Sequence, residues 1–284
     1  MNIPFIKAQG AGNDFLFTYE RDLPGALDEE RLRELAKAIC ARHTGLGADG
    51  WYVMGEAEGC AARIRLYNSD GSPAELSGNG TRCAAAILVD AGWSSPEVRI
   101  QTGSGPKQLR VVERGGRRFR FEMDMGRPRK ATLGYALRLA GEERQVTILD
   151  VGNPQCAAVV DSLEFDWKKL GAEIEKHSDF PNRTNVSFVR KMDEHTIEAR
   201  FYERGAGPTL SSGTGSTGAA AAAVLLGLVK SPVRVETEAG PLDLRWEDSR
   251  ESGSEPIEGL GKAPAGSIYL TGPAEITAQG DYFW

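Results

Sequence analysis

The chain has 284 residues, with 34 Lys and Arg against 40 Asp and Glu, so its formal net charge is −6. Hydrophobic residues at 40% and charged residues at 26% are ordinary for a globular protein, and the length favours two domains over one core. The longest apolar run, Ala219 to Val229, is too short to span a bilayer. The N-terminus lacks the basic-then-apolar pattern of a secretion signal, and an acidic chain with scattered Lys and Arg has no nucleic-acid footprint. The expectation is a cytoplasmic protein that acts on neither membrane nor nucleic acid.

In chain order, Glu29 to Ala41 reads as an amphipathic helix and Arg63 to Tyr67 as a half-buried strand of alternating character. A polar loop, then Ser77-Gly-Asn-Gly, then the helix-forming run Thr81 to Ala91 follow. Gln108–Val112 and Arg118–Met123 read as strands, and Gly126-Arg127-Pro128 marks the boundary between domains 1–126 and 127–284. The last residues are expected to return to the first domain. Thr196 to Tyr202 is again an alternating strand, followed by Ser212-Gly-Thr-Gly, a helix over Ser216 to Leu228, and a strand at Val233–Glu236. Glycine, 34 residues in all, is concentrated in bursts at 10–12, 45–50, 78–80, 205–207 and 213–218, as a site lined by backbone requires. Cys40, Cys60, Cys83 and Cys156 lack the clustering of a zinc site, with only His43, His177 and His195 to help, and are expected to be reduced and buried.

Arg65 to Ala86 (RLYNSDGSPAELSGNGTRCAAA) and Arg200 to Ala221 (RFYERGAGPTLSSGTGSTGAAA) align without a gap, and nine of their 22 positions are identical. A repeat displaced by 135 residues implies duplication of a whole domain, not a solenoid. The expected architecture is therefore α+β, with two pseudo-symmetric domains, each a β-sheet wrapped around a central helix.

Ser77 and Ser212 each precede a helix, whose N-terminal N–H groups and partial positive charge suit a carboxylate. Two such ends facing one cleft could flank a single carbon, which is what a two-base racemase needs. Gly45–Gly50 and Gly213–Gly218 both fit the dinucleotide fingerprint G-x-G-x-x-G. The first follows a helix, and the second, although Glu236 lies at a suitable distance, lacks surrounding βαβ units, so no nicotinamide cofactor is expected.

The stretches FIKAQGAGNDF (5–15), RHTGLGADG (42–50), YNSDGSPAELSGNGTRCA (67–84), VGNPQ (151–155), FPNRTNVSFV (180–189) and ERGAGPTLSSGTGSTGAA (203–220) together resemble diaminopimelate epimerase. The resemblance implies cofactor-independent interconversion of LL- and meso-diaminopimelate in an interdomain cleft, a small amino acid as the partner molecule, and compatibility with a homodimer. It implies that Asn13, Asn68, Asn153, Asn185, Glu203 and Arg204 bind substrate through side chains. Gly78-Asn79 and Gly213-Thr214 would hold the reacting carboxylate through backbone N–H groups.

The departures lie at the chemistry. Ser77 and Ser212 occupy the positions where the family has its two acid/base cysteines, Gln155 stands where a histidine is usual, and Pro208 where a glutamate is. A thiol ionises near pH 8.5 and lower at helix starts, whereas a serine hydroxyl needs a neighbouring base. No histidine adjoins either serine in sequence. Open alternatives are deliberate replacement of both cysteines, a divergent amino-acid dehydratase or other racemase, and an inactive amino-acid-binding protein.

Overall fold

The computed structural model describes residues 2–25, 27–248 and 266–284. The chain forms two compact units, one of residues 1–123 with 272–284 and one of residues 124–271. Both are α+β, and both are built on one plan.

In the first unit, β1 (Asn2–Gly10) and β2 (Asn13–Tyr19) form a tight antiparallel hairpin. Its two-residue turn needs positive φ at both positions, and it places Ala11 at 49° and Gly12 at 80°. Helix α1 (Glu29–Cys40) follows, capped by Asp28, whose carboxylate accepts the Arg31 N–H. β3 (Gly50–Gly55) runs parallel to β2 and antiparallel to β4 (Ala62–Asn68), which carries the short β5 (Pro73–Ala74). Helix α2 (Gly78–Asp90) comes next, then the antiparallel series β6 (Glu97–Thr102), β7 (Gly105–Gly115) and β8 (Arg118–Asp124).

The second unit repeats this series. β9 (Lys130–Arg138) pairs with β10 (Glu143–Asp150), β10 with β11 (Pro154–Val159), and α3 (Trp167–Glu175) follows. β12 (Asn185–Lys191) is parallel to β11 and antiparallel to β13 (Thr196–Glu203), which carries β14 (Gly207–Thr209). Helix α4 (Gly213–Leu225) then leads to β15 (Val233–Glu236), β16 (Leu242–Trp246) and β17 (Ile268–Phe283). β17 pairs first with β16, and its later residues pair with β1 in the first unit.

The two inner helices explain the wrapping. Almost every residue of α2 and α4 is buried, including the alanines 84–86 and 219–223. An Ala-rich helix with no polar face must be enclosed, and small side chains let the strands come close on all sides. The outer helices are amphipathic: α1 buries Leu32, Leu35, Ala36 and Ile39 under β3 and β4, and α3 buries Trp167 and Ile174 under β12 and β13.

Both inner helices start three residues earlier than periodicity places them, at Gly78 and Gly213, because each serine caps a glycine-containing first turn that a propensity reading discounts. The expectation that all four cysteines are buried holds for Cys40, Cys83 and Cys156. Cys60 is half exposed, in the β3–β4 connection. Among the described residues no helix is long and apolar enough to cross a membrane.

Candidate active site

The sequence-derived site residues divide into two half-sites, one in each unit, with matching internal geometry. Ser77 is the N-cap of α2 in extended backbone (φ −125°, ψ 122°), and its Oγ accepts the Gly80 N–H at 3.2 Å. Ser212 caps α4 likewise (φ −140°, ψ 124°), accepting from Gly215 N–H at 3.0 Å. Here the two differ: Thr81 donates to the carbonyl of the cap Ser77 and Thr217 to that of Gly213, one residue inside the helix, both at 2.8 Å, while Ser216, the equivalent of Thr81, has no side-chain partner among the described residues. The N–H groups of Gly78-Asn79 and Gly213-Thr214 stand in the first turns, where no intrahelical carbonyl can reach them.

An asparagine at the start of β2, and one just before β11, binds the second residue of the helix beside it. Asn79 Nδ2 donates to Asn13 Oδ1 at 2.7 Å, and Asn153 Nδ2 donates to Thr214 Oγ1 at 3.3 Å. The register shows that these asparagines are equivalents. Asn13 precedes by two Phe15, the partner of Gly50, and Asn153 precedes by two Gln155, the partner of Asn185. In the first unit the orientation is held further out, because Asn13 Nδ2 donates to Asp49 at 3.1 Å. Asp49 and Asp14 both bind Arg42, and Lys7 pairs with Asp14 at 3.0 Å. Burial works against ionisation of Asp14, but hydrogen bonds from Arg42 and Lys7 win and hold its carboxyl below the usual range.

Asn68 and Glu203 end the equivalent strands β4 and β13. Asn68 is tied to its own turn through Ser72 Oγ at 3.0 Å. Burial pushes the Glu203 carboxyl up, while the Ser212 hydroxyl beside it works in the opposite direction. Asn185, buried at the start of β12, donates to Pro154 O at 3.1 Å and accepts the Arg204 N–H at 2.9 Å, so it fixes the turn after Glu203. The buried Glu175 anchors the same turn through Gly205 N–H and the Arg183 guanidinium, both at 3.1 Å. Arg204 itself is exposed, with one guanidinium nitrogen on Asn182 O at 3.3 Å.

Of the two departures, Gln155 is fully buried and donates to Asn153 Oδ1 at 2.7 Å, so it positions a site residue. Its stem packs on Gly218 of α4, where a Cβ would come within 2.9 Å of Gln155 Cγ. Pro208 sits on β14 opposite Tyr202. The histidines stand apart: His177 bonds Arg138 O, and His195 bonds the carbonyls of Lys230 and Pro232.

Two residues near the half-sites, Arg82 and Tyr52, escaped the sequence reading, and a third was read only in part. Glu203 was expected only as a substrate ligand, yet it adjoins Ser212, as no spacing along the chain foretells. Arg82 is fully buried in α2, donating to Pro273 O at 3.2 Å and to Asn79 Oδ1, with its Nη1 unpartnered among the described residues. Desolvation lowers its guanidinium to about 10. An arginine three residues beyond Asn79 in an Ala-rich run was the available signal. Tyr52 lies in the unbroken buried run of β3, where nothing distinguishes it from core.

The arrangement presents, twice, a hydroxyl at the start of a buried helix, backbone donors beside it that no intrahelical carbonyl reaches, and an asparagine amide at or just before the start of a neighbouring strand fixing the first turn. A sequence model described as diaminopimelate epimerase matches residues 5–131 and 147–263. The diaminopimelate epimerase of Alkaliphilus metalliredigens (strain QYMF) is 34% identical over 296 aligned positions, covering 99% of this chain and 98% of the relative. That of Desulfitobacterium hafniense (strain DSM 10664 / DCB-2) is 33% identical, covering 97% and 96%. A crystal structure of a Bacillus anthracis phenazine biosynthesis protein of the PhzF family superposes with a TM-score of 0.74 at 14% identity, with full coverage of both chains, and attests the fold alone. With both halves of the duplication inside the match, and one-third identity along essentially the whole length, the chain belongs to the diaminopimelate epimerase family of isomerases.

Proposed function

We propose that the chain is a cofactor-independent epimerase of diaminopimelate in which serine has taken over both cysteine positions, at a large cost in rate. The observation that carries this reading is the repeated half-site, a serine-capped helix start with first-turn N–H donors outside the intrahelical ladder and an asparagine bound to the helix's second residue. Such donors suit the reacting carboxylate and the charge that spreads onto it when the Cα proton leaves. The reading assigns Ser77 and Ser212 as the two acid–base groups, one removing the Cα proton and the other returning one.

Serine is a weak base unless a neighbour takes its proton. Glu203, beside Ser212 and held above the ordinary carboxyl range, can do so. Glu203 and Arg204 also carry the charges that would recognise an amino-acid head group. Incubation with LL-diaminopimelate in D2O, followed by proton NMR of the Cα signal, should show slow exchange with formation of the meso isomer. Ser77→Cys with Ser212→Cys should accelerate it by roughly 10²–10⁴, the range of positioned acid–base catalysis. No binding, together with no exchange in the double variant, sinks the reading. A binding-only protein is the second reading, favoured by the use of both hydroxyls as N-caps. Binding without exchange would support it.

A further inference from the structure

Tyr52 is 1% exposed on β3, and its ring is clamped. Phe17 stacks on it at 4.9 Å with an interplanar angle of 4°, and Phe15 meets it edge-on at 5.4 Å. Its hydroxyl has no hydrogen-bond partner of ordinary geometry among the described residues. That hydroxyl is aimed into the first turn of α2, where a Cβ on Gly80 would come within 2.2 Å of it. Gly80 is the residue whose N–H the Ser77 Oγ accepts. A buried hydroxyl without a partner costs about 1–3 kcal/mol, and phenylalanine would fill the same space without that cost.

The other unit contains that alternative. Leu66 pairs with Tyr52 across β3 and β4, and at the equivalent crossing Phe201 pairs with Ser187. There Phe201 supplies the aromatic ring, and a Cβ on Gly215 would come within 2.7 Å of its Cδ1. Both helix starts are therefore packed by an aromatic ring, but only the one beside Ser77 brings a hydroxyl. Ser212 has Glu203 in its place.

We propose, building on the function above, that Tyr52 is a positioning residue for Ser77, its phenol donating to the Ser77 oxygen when that oxygen carries negative charge. In the return step the Ser77 O–H bond breaks, a Cα–H bond forms, and the electron pair stays on Oγ. There it is met by the Gly80 N–H and the Tyr52 O–H, and the phenol keeps its proton. Burial, with Cys83 adding to it, pushes the phenol far above its ordinary range although Ser77 opposes this, which suits a donor that never ionises. The two half-sites then differ in chemistry, with a carboxylate behind Ser212 and a neutral donor behind Ser77.

The test uses the full chain carrying Ser77→Cys. The thiolate fraction at that position is read from the pH dependence of iodoacetamide alkylation, followed on its peptide by mass spectrometry. Adding Tyr52→Phe should raise that thiol's apparent pKa by about one unit, a tenfold loss of thiolate near neutrality. In a parallel Ser212→Cys chain, Tyr52→Phe should change nothing. An unchanged pKa at the first position, or equal shifts at both, would overturn the proposal. Tyr52→Met also lacks the hydroxyl and gives the same readout if the first variant does not fold. Failure of diaminopimelate to exchange would remove the proposed substrate while leaving this readout standing.

Discussion

Glu203 pairs a cost in stability with the role in proton transfer proposed for it. Burial raises its carboxyl above the ordinary glutamate range, so the fold disfavours its ionised form, and the penalty sets in as pH rises above the unfolded value. Glu203→Gln should therefore raise the thermal midpoint at pH 7 while lowering α-proton exchange by about 10² or more. Calorimetry and NMR exchange on the same preparation check both signs. Exchange in the parent protein should fall as pH drops through the raised Glu203 value, and the Gln variant should lose that dependence. Arg82 works in the other direction. Arg82→Ala would leave Asn79 Oδ1 and Pro273 O without this donor and open a cavity, a loss of about 3 kcal/mol readable by denaturant unfolding.

Among the elements, the inner helices carry the strongest constraints. Ser77 and Ser212 do structural work as caps, so Ser→Ala at either should cost about 1 kcal/mol. Replacement of both by cysteine, a weaker acceptor, should gain activity and lose stability together. Gly80 admits no side chain: a Cβ would come within 2.2 Å of the Tyr52 oxygen and 2.6 Å of its Cζ, in a ring that Phe15 and Phe17 hold. Gly80→Ala should destabilise by about 1–3 kcal/mol, measured by urea unfolding. Gly115→Ala, at a position with nothing within 4 Å, is the control. These glycines serve close packing, so the G-x-G-x-x-G of residues 213–218 forms the opening turns of α4, packed on Phe201 and Gln155.

Across the whole molecule, each unit carries carboxylates bound by arginine. In the first, hydrogen bonding to Arg118 lowers Glu275, and Arg42 and Lys7 lower Asp14. In the second, Arg190 and Arg200 overcome burial to lower Glu198. A lowered folded value means that stabilisation is complete above the unfolded value and is lost as pH falls through the folded one. Stability should hold down to about pH 5 and fall steeply below about pH 4, followed by circular dichroism. Asp14→Asn should flatten part of that fall.

Local chemistry made much of this protein legible in its sequence. The gapless repeat of Arg65–Ala86 in Arg200–Ala221 determined a duplicated α+β fold, because identical strand–loop–helix grammar forms the same local structure twice. The Ser-Gly-x-Gly steps marked both helix starts, since a cap is specified by its own neighbours. What the sequence could not determine was which side chains meet across strands. The exchange of aromatic roles between Tyr52 and Phe201 depends on the pairings Tyr52–Leu66 and Ser187–Phe201. The support of Asn79 by Arg82 and Pro273 joins residues almost two hundred positions apart. The approach of Glu203 to Ser212 depends on how β13 and β14 fold back toward α4. Such contacts depend on register and packing, which arise only once the sheet has closed around its helix, and they made the two otherwise matching serines chemically unequal.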